Sequence, residues 1–419
     1  MKKYLIWGNV SLKGEVKISG SKNSVLPIMA STLLTSEKCI IKNVPRVVDV
    51  FTMKELLEFL GKKVEFDSNT LKITQKTTKP RILAPYEIVS RMRASFCVLG
   101  PLLARFKRAK VSFPGGCVIG VRPVDLHLKG LSMLGVNFRI RSGYVIGSAK
   151  ELRANRIYLG GEFGSSVLAT ANVLMCAVLS KGKTLIENAA CEPEIKDLAD
   201  FLNKMGAKIK GAGTPWIEIE GVKTLKGAEH TVIPDRIEAG TFIMAGLITK
   251  GKITIKGAKI SHLGAVLDKL NECKAKLITE DEKIEVLPSN IIAQNMTTLP
   301  FPGFPTDLQA QYVSLMSVAK GSCVVTERVF PDRFMHVPEL NRMGAKIKRQ
   351  GPHLLIEGTN DLFGAEVMAS DLRASAALIL AGLRAKGKTV VQRVYHLDRG
   401  YENLKEKLEA LGAKIKIEE

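Results

Sequence analysis

Two periods of apolar and polar residues keep replacing one another along this chain. Ahead of the glycine in LLEFLGKKVEF, FLNKMGAKIKG and LEALGAKIKI, apolar residues recur at helical spacing: Met53, Leu57 and Leu60; Leu198, Leu202 and Met205; Leu404, Leu408 and Leu411. This predicts amphipathic helices with one buried stripe. Past the glycine the period drops to two, and Lys-Ile-Lys alternation predicts a strand with one wet face. The glycine between them suits a left-handed helix cap. The same helix end returns in LSMLGVNFRI, LNECKAKLIT and LNRMGAKIKR. The cap position therefore falls at Gly61, Gly135, Gly206, Lys274, Gly344 and Gly412, with spacings of 74, 71, 68, 70 and 68 residues. Such regularity means six copies of one supersecondary unit.

Upstream in each copy lies a second, more apolar helix rich in small residues, as in ASFCVLGPLLARF, SVLATANVLMCAVL, AGTFIMAGLI and ASAALILAGL. Small side chains let helices approach closely, so these are expected at the centre. A basic or glycine turn and a β-branched strand follow (KGKTLIEN, KGKITIKG, KGSCVVTE, KGKTVVQR), with a further strand where LKITQ, WIEIE or LLIEG lies. The fold class is α/β, and three units per lobe is the natural division. We expect a first lobe over residues 22–231 and a second over 1–21 plus 232–419, with residues 1–21 supplying a strand to the second. Two lobes would leave a cleft, where small-molecule sites tend to lie.

Composition narrows the class. With 46% hydrophobic residues and no apolar run of the roughly 18–20 residues that a membrane-spanning helix needs, the chain reads as globular, with no membrane partner. The N-terminal MKKYLIWGNVSLKGEV lacks the sustained apolar stretch of a secretory signal, which points to the cytoplasm. Seven scattered cysteines without Cys-x-x-Cys spacing argue against zinc and disulfides, so free thiols are expected, with no metal and no cofactor. A net charge of +21 fits nucleic acid, acidic lipid, an anionic substrate or simply a lysine-rich surface. The lysines are spread evenly, aromatics make up only 6% and no nucleic-acid motif occurs, so nucleic acid is the weaker reading. Oligomeric state is not legible.

The unusual chemistry lies in loops. SGSKNSVLP puts Lys22 and Asn23 ahead of a helix, where an ammonium and a helix N-terminus favour an anion, although such a lysine can equally be solvated. In SRMRASF, Arg93 sits inside an apolar helix, either snorkelling or awaiting an anion. PGGCVIGVRPVDLHL gathers Cys117, Arg122 and Asp125 in the longest repeat. FPTDLQAQ places Asp307 at a helix N-cap, with capping as its plainest role. VFPDRFMHVPEL holds Arg333 and His336, ASDLRASA holds Asp371 and Arg373, and YHLDRGYE holds Arg399. Arginines from several distant loops would build a pocket for several negative charges if the loops converge.

These stretches, with GEVKISGSKNSVLP, MRASFCVLGPLLAR, ENAACEPEI and PDRIEAGTF, occur in one order over the whole chain. In that order the sequence resembles the enolpyruvyl transferases of the UDP-N-acetylglucosamine 1-carboxyvinyltransferase type. The resemblance implies a two-lobed enolpyruvyl-transferase-like fold, an inside-out α/β barrel with three units per lobe. It also implies transfer of the enolpyruvyl group of phosphoenolpyruvate to the 3'-hydroxyl of UDP-N-acetylglucosamine, releasing phosphate through a tetrahedral intermediate and opening bacterial peptidoglycan synthesis. Carried over by position, Cys117 is the loop thiol that donates a proton, forms an adduct with phosphoenolpyruvate and is attacked by the epoxide antibiotic fosfomycin. Lys22, Asn23, Arg122 and Arg399 surround phosphoenolpyruvate, and Asp307 is the general-base candidate. Arg93, Arg122, Pro123, Val124, Asp125, Leu126, Ser166, Val167, Asp307 and Val329 surround the UDP-sugar.

One departure stands out. Where the family pattern carries a lysine and a glycine around its Ser-Val pair, GSSVLAT has Gly164 and Leu168, which removes a cation from the nucleotide side. The alternatives are 5-enolpyruvylshikimate-3-phosphate synthase, which does not depend on a loop thiol, and a non-catalytic basic nucleic-acid-binding repeat protein.

Overall fold

The computed structural model describes residues 2–115, 124–162 and 164–418, so Cys117, Arg122 and Pro123 lie outside the described residues. Two compact units emerge: residues 20–115, 124–162 and 164–233 form one, and residues 2–19 with 234–418 form the other. Each contains three four-stranded sheets.

In the first unit the sheets run Glu229–Thr231, Cys39–Lys42, Thr70–Gln75, Lys62–Asp67; then Leu83–Ala84, Arg108–Ser112, Tyr144–Ser148, Asn137–Arg141; then Arg156–Tyr158, Lys183–Glu187, Trp216–Glu220, Lys208–Lys210. In the second they run Lys13–Lys17, Lys252–Lys256, Lys283–Leu287, Lys276–Glu280; then Met296–Thr297, Ser322–Thr326, His353–Glu357, Lys346–Gln350; then Glu366–Met368, Lys388–Gln392, Lys3–Trp7, Lys414–Glu418. The first pair in every sheet is parallel and the other two are antiparallel. The six repeats read from the sequence are thus six copies of one sheet.

Burial explains which layer lies inside. Ile237 to Ile248 are all buried along the helix Arg236–Ile248, whereas the adjoining strand Lys252–Lys256 alternates between exposed and buried positions. A helix buried on every side belongs to the interior, and a strand with one wet face belongs to the wall. In the second unit Arg236–Ile248, Gln309–Met316 and Leu372–Arg384 pack against one another in pairs. In the first, Lys22–Ser31, Leu99–Phe106 and Val167–Ala177 occupy the corresponding interior positions. A separate apolar core fills each unit.

Residues 1–21 give two strands rather than one. Lys3–Trp7 is an interior strand of the last sheet, with Lys3 opposite both Gln392 and Glu418. Lys13–Lys17 is the parallel edge of another, pairing Lys13 with Lys252. The cap positions behave as the repeat predicts: Gly61, Gly135, Gly206, Gly344 and Gly412 have φ between 93° and 102°, and Lys274 stands in their place at 63°.

Candidate active site

Several candidate residues of the first unit cluster at helix starts. Lys22 opens the helix Lys22–Ser31, whose N-cap Ser21 accepts a hydrogen bond from the Ser24 N–H. Its ammonium lies 3.3 Å from a carboxylate oxygen of the buried Asp49. Asn23 follows, half-buried. Ser166 caps Val167–Ala177 through the Ala169 N–H, so Ser166 and Val167 share one helix N-terminus. Asp125, exposed, begins Asp125–Met133, with Val124 buried before it and Leu126 half-buried after it. That helix packs on Val167–Ala177. Leu126 leans on the ribbon formed by Gly160–Gly161 and Gly164–Ser165: a Cβ built on Gly161 would lie 3.1 Å from its Cδ1. The Leu126 and Ser166 segments are thereby brought together. Gly164 has φ of 90°, a conformation that a lysine there would adopt only with strain.

Arg93 differs from expectation. Rather than lying within a helix, it opens the 3-10 turn Arg93–Val98 and is half-buried. Burial, with some contribution from the Arg93 charge, pushes the neighbouring His127 down to about 3, so that imidazole is neutral. It accepts at Nδ1 from the Asn172 amide at 2.8 Å, which fixes its proton on Nε2.

In the second unit Asp307 also departs from expectation. It sits in the 3-10 turn Thr306–Leu308, one residue too early to cap, and no side chain caps Gln309–Met316. Its carboxylate is instead shared between two guanidiniums: Arg333 Nη1 donates to Oδ1 at 2.7 Å and Arg373 Nη2 to Oδ2 at 2.9 Å. Both arginines are buried, while the Asp307 side chain keeps 27% exposure. Burial alone would raise its pKa, yet the Arg373 and Arg333 charges hold the carboxyl well below the usual range. Asp307 is therefore ionised, oriented and weakly basic.

The surroundings fix this clamp. Asp371 caps Leu372–Arg384 through the Arg373 and Ala374 N–H groups, setting the start of the helix that carries Arg373. The Arg373 guanidinium lies 5.4 Å from the Tyr401 ring centroid. The Tyr401 hydroxyl meets Thr241 Oγ1 at 2.8 Å, and the two N–H groups of Gln311 Nε2 are within reach of both and of the Asp307 carbonyl. Arg399, two residues before Tyr401, is half-buried at the end of the 3-10 turn Val394–Arg399. His396, lowered first by burial and then by Arg399, is also within reach of Asp371. Burial pushes His336 down to about 4, with Asp371 and Arg333 its charged neighbours. Arg333 and Arg373 thus meet at Asp307, Asp371 fixes the helix start that carries Arg373, and Arg399 acts electrostatically on His396.

Sequence reasoning passed over Glu327. Fully buried, it accepts from Thr298 Oγ1 at 2.6 Å, Thr306 Oγ1 at 2.8 Å and the Val329 and Phe330 N–H groups at 2.8 and 2.9 Å. One carboxylate therefore orients both the turn before Asp307 and the segment carrying Val329. A lone glutamate at a strand end gives no sequence signal for this. Arg333 and Arg373 did give one, as arginines in conspicuous loops, but nothing local showed that both would meet at Asp307. Among the described residues no cluster of three or more His, Cys, Asp and Glu is placed to hold a metal.

Comparison with known proteins agrees with this architecture. The model of the family described as EPSP synthase (3-phosphoshikimate 1-carboxyvinyltransferase) matches residues 6–408. The enolpyruvyl transferase NikO from Streptomyces tendae superposes with a TM-score of 0.90 at 25% identity, over 99% of this chain and 98% of that one. EPSP synthase from Acinetobacter baumannii has the same fold, with a TM-score of 0.77 at 17% identity and full coverage of both chains. The fold is thus that of the enolpyruvyl transferases. UDP-N-acetylglucosamine 1-carboxyvinyltransferase 1 of Caldanaerobacter subterraneus is 54% identical over 99% of both chains. The enzymes of that name from Methylacidiphilum infernorum (99% of this chain, 98% of the relative) and Myxococcus xanthus (100% of both) are each 51% identical. The chain belongs to the EPSP synthase family and, within it, to the family of the UDP-N-acetylglucosamine 1-carboxyvinyltransferases.

Proposed function

We propose that this protein transfers the enolpyruvyl group of phosphoenolpyruvate to the 3'-hydroxyl of UDP-N-acetylglucosamine, the step that commits the sugar to peptidoglycan. The observation that carries the reading is the Asp307 clamp, in a chain about half identical, end to end, to enzymes of that name. In the addition step the hydroxyl O–H breaks, its oxygen bonds C2 of phosphoenolpyruvate and C3 gains a proton from the Cys117 thiol. In the elimination step the Cys117 thiolate takes a proton back from C3, the C2–O bond to phosphate breaks, the vinyl double bond returns, and phosphate leaves with the proton that Asp307 had accepted. Lys22, Arg122 and Arg399 neutralise the phosphate and carboxylate, with Asn23 beside them. The UDP-sugar is held by Arg93, Arg122, Pro123, Val124, Asp125, Leu126, Ser166, Val167 and Val329.

Asp307 acts chiefly by placement. Its two arginines make it a weak base, so it holds the hydroxyl as a hydrogen-bond acceptor and takes the proton only as the new C–O bond forms and acidifies it. A cytoplasmic setting belongs to the same reading: Cys39, Cys97, Cys176, Cys191, Cys273 and Cys323 are all free thiols, as a reducing compartment would keep them. No helix among the described residues is long and apolar enough to cross a membrane.

The deciding experiment is phosphate release from phosphoenolpyruvate by purified protein. Release is expected with UDP-N-acetylglucosamine and not with shikimate 3-phosphate. The reverse would make the chain a 5-enolpyruvylshikimate-3-phosphate synthase, and release with neither, together with tight salt-sensitive oligonucleotide binding, would favour the nucleic-acid reading.

A further inference from the structure

A second polar network, with Ser24, Asp197 and His230 buried at its centre and remote in sequence from the Asp307 clamp, lies under the turn that bears Lys22 and Asn23. Asp197, on the helix Pro193–Lys204, is its hub. One carboxylate oxygen accepts from Ser24 Oγ at 2.5 Å and from the Ile233 N–H at 3.3 Å. The other meets His230 Nε2 at 2.8 Å, and His230 Nδ1 lies 3.2 Å from the Lys204 ammonium. A carboxylate only accepts and an ammonium only donates, so His230 carries its proton on Nε2. Ser24 is fully buried and bonds the carboxylate rather than the imidazole, so its hydroxyl is shut away from any substrate and serves as a structural donor.

The network closes on itself. Ser21 donates its N–H to the Ile233 carbonyl at 2.8 Å, and the Ser21 hydroxyl accepts from the Ser24 N–H at 3.3 Å. Lys22 and Asn23 are therefore the two middle residues of a turn whose ends, Ser21 and Ser24, are both tied to the Asp197–Ile233 pair. Three separate segments (the first helical turn, the helix Pro193–Lys204 and the strand Glu229–Thr231 with its exit) meet at this one carboxylate.

We infer that Asp197, with His230 and Ser24, is a positioning device for the phosphoenolpyruvate end of the site. It touches no substrate and sets where Lys22 and Asn23 point. The inference rests on the function proposed above. A hub with three donors resists displacement because moving any segment would strand a buried polar group. Misplacing a binding cation by about 1 Å is enough to cost on the order of a hundredfold.

The test measures KM for each substrate separately, together with direct phosphoenolpyruvate binding by 31P NMR. Asp197→Asn and Ser24→Ala are expected to raise KM for phosphoenolpyruvate roughly ten- to a hundredfold and to weaken its binding, with KM for UDP-N-acetylglucosamine unchanged. His230→Ala should behave alike, while His230→Gln, whose amide N–H replaces the Nε2 donor, should restore native values. Ser24→Ala removes a single hydroxyl and keeps the fold should Asp197→Asn fail to. Equal rises in both KM values, native kinetics in Asp197→Asn and Ser24→Ala, or no rescue by His230→Gln would each overturn the inference while leaving the function standing. Wild-type protein inactive on this substrate pair would remove the function itself, and the inference with it.

Discussion

At the scale of single residues, Asp307 shows how two neighbours reset a side chain's chemistry. Its folded-state pKa is depressed, so the ion pairs contribute stability above the free-carboxylate pKa of about 4, and this is lost as pH falls through the lower folded value. Arg333→Met removes one of the two charges and should move the Asp307 pKa back up. The acid limb of kcat/KM should then shift to higher pH, which a pH–rate profile beside a carboxyl NMR titration will register; an unmoved limb would exclude Asp307 as the group that titrates there. Cys117→Ser should abolish fosfomycin sensitivity and most turnover with an unchanged unfolding midpoint, whereas full activity would return that thiol to a structural role. Little of this was legible beforehand. FPTDLQAQ marked Asp307, but its partners lie 26 and 66 residues away, and nothing local distinguishes them from other loop arginines. Glu327 and Asp197 were silent because a buried carboxylate is defined by the donors folding brings to it.

Among the secondary-structure elements, legibility was high, because each unit repeats a local rule. Helix period, glycine and strand period follow one another within about a dozen residues, and the structure keeps that order in all six copies, with Lys274 in place of the glycine in the fourth. The cap glycines give a clean test. Gly206 has φ of 100° and open space where a Cβ would stand, so Gly206→Ala carries backbone strain without a clash. It should cost about 1–2 kcal/mol, read from urea unfolding. Lys274→Gly should go the other way, stabilising by up to about 1 kcal/mol, since it replaces the one side chain among the six cap positions that occupies the left-handed region. Equal effects at both positions would mean that the caps are not limited by φ. What local rules could not give is strand partnership. The strand Glu229–Thr231 joins a sheet begun near Cys39, and no period in either segment records that pairing.

Considered as a whole molecule, the repeat is closed by exchange between distant parts of the chain. The last unit reaches the end of the described chain with its hairpin incomplete, and Lys3–Trp7 fills the gap between Lys388–Gln392 and Lys414–Glu418. Deleting residues 1–8 should leave two facing rows of unpaired backbone groups, and the soluble yield should collapse. Hydrogen exchange on any soluble remainder should show loss of protection first in residues 388–392 and 414–418; full protection there would mean that the sheet heals without its inner strand.

That insertion also sets a timetable for synthesis. A ribosome releases Lys3–Trp7 long before either of its neighbours, so throughout the synthesis of the intervening chain an apolar β-segment waits with its ladder unmade. The nascent chain must therefore keep Tyr4, Leu5 and Ile6, all buried in the finished protein, away from other edges, and the sixth sheet can zip shut only after Lys414–Glu418 has emerged from the exit tunnel.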